Sequence, residues 1–398
     1  MLLVFTGGTV RGQDNPAPAT LDVIDIWNHV RHKTPDNAST DRDYREPMKA
    51  WTPVIGAKPS AGALFGMAGN VAFFRGEPQT THISSLVVSA TYSTKKQTAI
   101  LGRFIMFGNA DAWRLDGDNR AQWTSQNTYG LGTTTDAVDV TNAKFNFFRL
   151  HNTGYRRLRP GLFAGLGLHY DDHSNFGPGD DVTDDQWADS PFLAYTAAHG
   201  LPADRQISAG PSVSLLFDTR DNTIEARRGS MASVSYRGLI KNFLGASSGW
   251  QLLRFENRTY KALTRDQRKH LAFWLFGDFV VAGTAPYFDL PATGMDMFGR
   301  SGRGYAEGRF RGERLLYGEA EYRATLTRNG FLGMVVFLNA TSISNLQNEE
   351  RLFESGALGA GAGLRVLVNK HSRTNLCFDV GVGKQGSYGV YLAVQEAF

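Results

Sequence analysis

From residue 51 to the last residue the chain alternates. In ASVSYRG (232–238), Ala232, Val234 and Tyr236 leave one side of an extended backbone and Ser233, Ser235 and Arg237 the other. In TNLCFDVGVG (374–383), Leu376, Phe378, Val380 and Val382 oppose Asn375, Cys377, Asp379 and two glycines. LYGEAEYRA (316–324) sets Glu319, Glu321 and Arg323 against Ala320 and Tyr322. LRFENR (253–258) sets Arg254, Glu256 and Arg258 against Leu253, Phe255 and Asn257. A period of two is that of a β-strand, whose successive side chains point to opposite faces. Repeated over segments of roughly 9–14 residues and broken by turn residues, it predicts about 16 strands. They fall near 51–58, 62–75, 82–93, 97–107, 111–124, 142–152, 158–171, 205–217, 229–241, 248–262, 268–281, 313–325, 331–343, 357–369, 373–384 and 387–398.

The front of the chain follows another period. In ATLDVIDIWNHVRHK (19–33), Val23, Ile26, Trp27 and Val30 form one helical face, which predicts a helix over 20–33 capped by Thr20. Asp22 and Asp25 sit early in it and Arg31 and Lys33 late, complementing the helix dipole. It reads as a packed or interfacial helix; a lumen plug or a periplasmic anchor is the sharper alternative. Residues 1–19 are expected to be unstructured, and MLLVFTGGTVRGQDN reads as a signal-peptide remnant or a plain disordered terminus. A polar linker occupies 34–49. The expected organisation is therefore an N-terminal segment (1–50) and one β domain (51–398), with no soluble domain of useful size before residue 50.

A soluble sandwich and a membrane barrel share this periodicity. Three features favour an all-β, transmembrane antiparallel barrel of about 16 strands. The strand pattern runs on without a credible helical domain, aromatic residues gather near segment ends, and the final segment closes on Phe398. In that segment Tyr388, Val390, Leu392, Val394 and Phe398 share one parity, broken by Glu396. No apolar run approaches the ~18 residues of a membrane helix, as expected of a chain that crosses by alternating strands.

Composition narrows this further. Gly is high at 44 and Phe at 26, with 14 Pro, which suits strands and tight bends rather than disorder. A net charge of +4 is too small to mark a nucleic-acid binder, so none is expected. The single cysteine, Cys377, permits no internal disulfide and no Cys-based metal site, and reads as a small packed side chain.

Against this background the stretch GRSGRGYAEGRFRG (299–312) stands out, with five glycines and four arginines. It lacks the G-K-[ST] of a phosphate loop, and it lies between strands rather than in a disordered Arg-Gly tail. An exposed flexible connection and a loop packed inside the lumen are both open; buried guanidinium groups would need the carboxylates of the inner faces. LHYDDHSNFGPGDD (168–181) offers His169, Asp171, Asp172 and His173, but reads as the solvated start of a long outer loop, so no metal or cofactor is expected. No Ser–His constellation and no G-x-S-x-G elbow can be assembled from the sequence.

Three motifs carry a resemblance. LLFDTRDNTIEARRGS (215–230) is similar to the D-x-R-D-N…P-x-x-G periplasmic turn of the BamA/TamA superfamily of outer-membrane insertases and translocases. Asp218, Arg220, Asp221, Asn222 and Gly229 match; Ala226 stands where that family has proline. Arg303, Gly304 and Tyr305 match the R-G-F/Y core of its loop between the eleventh and twelfth strands. WTPVIGAKPSAGALFGMAGNVAFFR (51–75) resembles the opening hairpin of members with little or no N-terminal domain. The resemblance implies that the loop folds into the lumen, with its arginines (Arg303, and Arg309 and Arg311 beyond it) meeting the inner wall. The family's F-x-D wall motif is here Phe337, Leu338, Asn339, an amide for the acid, so Glu319 and Glu321 become the expected partners of Arg303. Phe398 would be the C-terminal strand signal.

The expected protein is thus a non-enzymatic barrel of the bacterial outer membrane. Its partners would be outer-membrane lipids and unfolded outer-membrane or secreted polypeptide clients. It would assist membrane-protein insertion or polypeptide transport, or open and thin the bilayer at the first–last strand seam. The alternative is a passive pore or a structural barrel without insertase activity.

Overall fold

The computed structural model describes residues 20–31, 45–58 and 61–398; the expected signal remnant and most of the polar linker lie outside them. One sheet contains β1 (Met48–Lys58), β2 (Gly62–Phe73), β3 (Ser84–Ser93), β4 (Thr98–Phe107), β5 (Trp113–Thr128), β6 (Thr141–Arg159), β7 (Leu162–Pro178) and β8 (Arg205–Asp218). It continues with β9 (Gly229–Leu239), β10 (Trp250–Ala262), β11 (Lys269–Gly283), β12 (Arg314–Thr325), β13 (Leu332–Ser344), β14 (Ala357–Asn369), β15 (Thr374–Gly383) and β16 (Tyr388–Val394). Each strand pairs antiparallel with its neighbour in sequence, and the sheet curls until β16 lies beside β1. With sixteen strands, β1 starts and β16 ends at the same rim, called here the terminal end; the other is the far end.

The alternation sets what faces where. On β13 Val336 and Leu338 stand exposed outside, while Val335, Phe337, Asn339 and Thr341 are buried inside. On β8 Val213, Leu215 and Phe217 point out, and Ser212, Ser214 and Leu216 point in. On β15 Phe378, Val380 and Val382 point out, and Cys377 and Asp379 in. A sheet curled upon itself with an apolar exterior and a polar interior is a transmembrane barrel: hydrocarbon meets the outer face, and the strand ladders satisfy the backbone.

Several boundaries differ from expectation. The helix is α1 (Val23–Val30), and its N-cap is Asp22 rather than Thr20: Asp22 and Asp25 form a reciprocal capping box. β6 and β7 are longer than predicted because alternation carries through the HYDDH run. His169, Asp171 and His173 therefore belong to a strand and lie buried inside, correcting the solvated-loop reading. The connection after β7 holds two short helices the sequence reading missed, α2 (Asp184–Ala188) and α3 (Pro191–Ala198). Their signals were the Thr183–Gln186 capping box and the Ser190 cap followed by Pro191.

The last strand also differs. β16 ends at Val394, and Gln395 takes a left-handed φ of 74°. That turn sends Glu396, Ala397 and Phe398 into the lumen, where Phe398 is 6% exposed and packs 5.3 Å from the Trp274 ring. Phe398 is not a lipid-facing strand terminus. Glu396, which broke the predicted parity, does so because it is a lumen residue bonded to Arg365.

Candidate functional site

The connection between β11 and β12 (284–313) turns back into the barrel. At its tip Arg303 is 1% exposed. Its guanidinium is hydrogen bonded to both Glu319 and Glu321 on β12, and Nη1 donates to Asp379 on β15 (2.8 Å). The guanidinium also lies 3.7 Å from the centre of the Phe337 ring. Both expected glutamates thus hold Arg303. The third carboxylate, Asp379, was missed: it lies 76 residues away, and only barrel curvature brings it near. Its signal was an acid on the inward parity of a glycine-rich strand.

Asn339 bonds the loop in another way than a wall acid would. Its Nδ2 donates to the Arg303 carbonyl oxygen (2.9 Å), fixing the loop backbone rather than the charge. The network continues through Arg365, which donates to Asp379 (2.5 Å) and Glu396 (2.8 Å), and Arg323, which donates to Glu321 (2.6 Å). Guanidinium and carboxylate groups this buried require such mutual satisfaction.

Small residues make room for the tip. Gly304 has φ 105°, and a Cβ there would meet the Val382 carbonyl oxygen at 2.6 Å. From the wall side, a Cβ on Gly359 would strike the Arg303 carbonyl at 2.7 Å, and one on Gly381 the Gly304 nitrogen at 2.8 Å. The Gly-x-Gly alternation of β14 and β15 is therefore the seat of the loop. The tip also grips the last strand. Gly304 N donates to the Tyr391 hydroxyl on β16 (2.9 Å), and Ser387 Oγ donates to the Gly304 carbonyl (2.8 Å). The Tyr305 hydroxyl donates to the Leu358 carbonyl.

Arg309 and Arg311 bond to neutral groups. Arg309 donates to Thr135 Oγ1 and its carbonyl (2.7 Å each) and to Gln385 (3.1 Å). Arg311 donates to the Tyr287 carbonyl (2.8 Å) and stacks near Tyr287 and Phe288. Its carbonyl accepts from Gly132 N (2.7 Å), joining the loop to the β5–β6 connection. The expectation of wall carboxylates holds for Arg303 and not for these two.

The turn motif does more than turn. Arg220 donates twice to Asp218 (2.9 and 2.7 Å), and Arg114 donates to the same carboxylate (2.8 Å). Asn222 Oδ1 accepts from Ile224 N and Glu225 N, while Asp221 Oδ1 accepts from Arg227 N. Gly229 has φ 95° and no room for a Cβ against the Thr219 carbonyl (2.2 Å). So braced, residues 219–228 cross the terminal mouth. Ile224 packs with Met48, Ala72 and Ile83 on the opposite wall, and Arg373 donates to Asp221 (2.7 Å). Ala226 is buried beside Tyr260, so packing holds the position where a proline ring was expected.

The floor is tied by His82, whose Nδ1 shares a 2.6 Å hydrogen bond with Asp111 and whose Nε2 bonds the Arg220 carbonyl (2.9 Å). Burial pulls this imidazole down, but Asp111, with Asp218 and the Arg220 carbonyl behind it, together outweigh burial and hold it above its ordinary value.

The far mouth is covered too. Phe176, Phe192 and Phe288 stack against one another, and the Tyr195 hydroxyl on α3 donates to the Ala285 carbonyl (3.0 Å). Between roof and floor remains a cavity of about 220 Å³. Its lining includes a Ser–His pair the sequence did not reveal: His169 Nε2 lies 2.8 Å from Ser212 Oγ. His169 Nδ1 has no partner among the described residues, so no acid orients the ring as a hydrolytic triad requires.

The seam is the remaining feature. Every other neighbouring pair of strands forms a ladder, but none joins β1 to β16 among the described residues. Strand length falls toward it, from 19 residues in β6 and 17 in β7 to 10 in β15 and 7 in β16.

No protein-family model and no curated protein sequence matches the chain. Solved structures do. BamA from Haemophilus ducreyi, in a form lacking POTRA domains 1–3, superposes with a TM-score of 0.54 at 14% identity, over 88% of this chain and 69% of that one. CdiB from Escherichia coli gives 0.55 at 12% identity, over 89% of this chain and 63% of its own. CdiB from Acinetobacter baumannii gives 0.51 at 11%, over 88% and 59%. The chain therefore spans about six-tenths of the two CdiB chains. At these identities the likeness is one of fold.

Proposed function

We propose that the protein resides in the bacterial outer membrane and assists insertion or transport of polypeptides at the β1–β16 seam, without enzymatic chemistry. The observation that carries this reading is the contrast between the seam and the axis. The axis is obstructed by the 284–313 loop, the aromatic roof and the 219–228 floor, whereas the seam has no ladder to break. Strand length adds to it. Seven residues rise roughly 24 Å, or about 18 Å along the normal at a tilt near 40°, short of the ~25 Å apolar band of such barrels. Lipid beside β16 must thin, which lowers the barrier to an incoming strand. An unpaired strand edge is also a template for another strand. The likeness to BamA and CdiB barrels accords with this use of the fold.

A passive pore would require loop, roof and floor all to leave the axis. The two readings separate in liposomes: faster folding of a second barrel client supports the seam, and ion flux without client folding supports the pore.

A further inference from the structure

Helix α1 presents an apolar surface that no described residue covers. Ile24, Ile26, Trp27 and Val30 are 38%, 42%, 55% and 65% exposed, and Leu21 and Val23 are 39% each. Eight residues do not hold a helix by themselves. This one is anchored through its two acids. Lys370, in the β14–β15 turn, donates from its backbone N to Asp22 (2.9 Å) and from Nζ to Asp25 (2.8 Å). Leu21 N donates to the Asn329 carbonyl in the β12–β13 turn (3.0 Å). The polar side of α1 is thus spent on the barrel rim, leaving the apolar side outward.

The position of α1 places it beside outward-facing apolar residues of the barrel. Leu326 and Leu332, which flank the Asn329 turn, and Leu364 on β14 are 54%, 36% and 55% exposed. They are part of the lipid-facing band, and they belong to the strands and turns that hold α1 at the terminal rim. Arg31 makes the C-terminal end of α1 cationic and amphipathic: it is exposed, and its guanidinium sits 4.6 Å from the Trp27 ring centre. An aromatic ring beside a guanidinium, next to an apolar helix face, suits the boundary between acyl chains and phosphates.

We propose that α1 is a lipid-binding interfacial helix. Its Ile26, Trp27 and Val30 enter the acyl boundary of the leaflet at the terminal end, and Arg31 meets lipid phosphate. The occupant is the phospholipid surface itself. Because α1 rests on the β12–β13 and β14–β15 turns, it fastens to the membrane the wall that holds Arg303.

The test uses the full chain in phosphatidylethanolamine/phosphatidylglycerol vesicles. Ile26→Cys carries a nitroxide label in a Cys377→Ser background; Cys377 is buried, so its removal leaves a single labelling site. The expected result is relaxation of the label by oxygen at least severalfold stronger than by a water-soluble nickel chelate. Lys370→Glu, which repels Asp25, should reverse that ratio, with heat-dependent gel mobility showing that the barrel remains folded. Stronger relaxation by the nickel chelate in the parent protein would overturn the proposal. So would protection from both reagents, which would mean protein covers the helix.

Discussion

Arg303 holds the lumen loop through three carboxylates and one ring, and that arrangement was partly legible. Period-two alternation put Glu319 and Glu321 on an inward face, so both could be named. Asp379 could not be paired from sequence, because nothing local ties residue 379 to residue 303. The role of Asn339 was not legible either: the sequence showed an amide in place of an acid, but not that its NH₂ serves the Arg303 carbonyl. Two variants follow. Arg303→Ala leaves Glu319 without a guanidinium and takes one of two from Glu321 and from Asp379, and should cost about 3–5 kcal/mol, seen as a lower temperature of conversion between the folded and heat-denatured gel bands. Asn339→Asp, which completes an F-x-D sequence on β13, should also destabilise, by about 1–3 kcal/mol, because it replaces a donor with a carboxylate facing a carbonyl. A stabilised Asn339→Asp protein would show that the wall position serves the guanidinium after all.

At the scale of elements, strand existence was readable and reach was not. Alternation located sixteen strands, fourteen of them to within four residues at each end, yet β6 and β7 came out short and the HYDDH run looked like loop because its charges hid a regular period. The 215–230 motif was legible as a turn from Asp218, Asn222 and Gly229. That it crosses the mouth depends on Ile224 finding Met48, Ala72 and Ile83, contacts set by closure of the sheet. The C-terminal tuck turns on one left-handed residue, Gln395, which no glycine or asparagine announces. The floor carries a pH prediction through His82. Its folded value is raised, so its contribution is fully present below about pH 6.5 and is lost as pH climbs through the raised value. Hydrogen exchange of residues 219–228, corrected for intrinsic rate, should be slower at acid than at alkaline pH, and His82→Gln should abolish the difference. Equal pH dependence in the two proteins would remove His82 from the floor.

For the whole molecule, the central feature is an asymmetric wall. The long β5–β7 wall stands opposite a short, unladdered edge, and the loop tip grips that edge through Tyr391. The sequence disclosed the barrel through local alternation, and the lumen loop through the resemblance its R-G-Y motif carries. It did not disclose the open edge, because pairing between the first and last strands leaves no local trace. If the barrel works at this edge, locking it must stop the work while leaving the fold intact. The most direct measurement is the folding rate of a second outer-membrane barrel in liposomes holding this protein, with and without a disulfide engineered between β1 and β16. Acceleration that disappears when the seam is locked and returns on reduction is the predicted result. Acceleration that survives the lock, or ion flux with no acceleration at all, would contradict it.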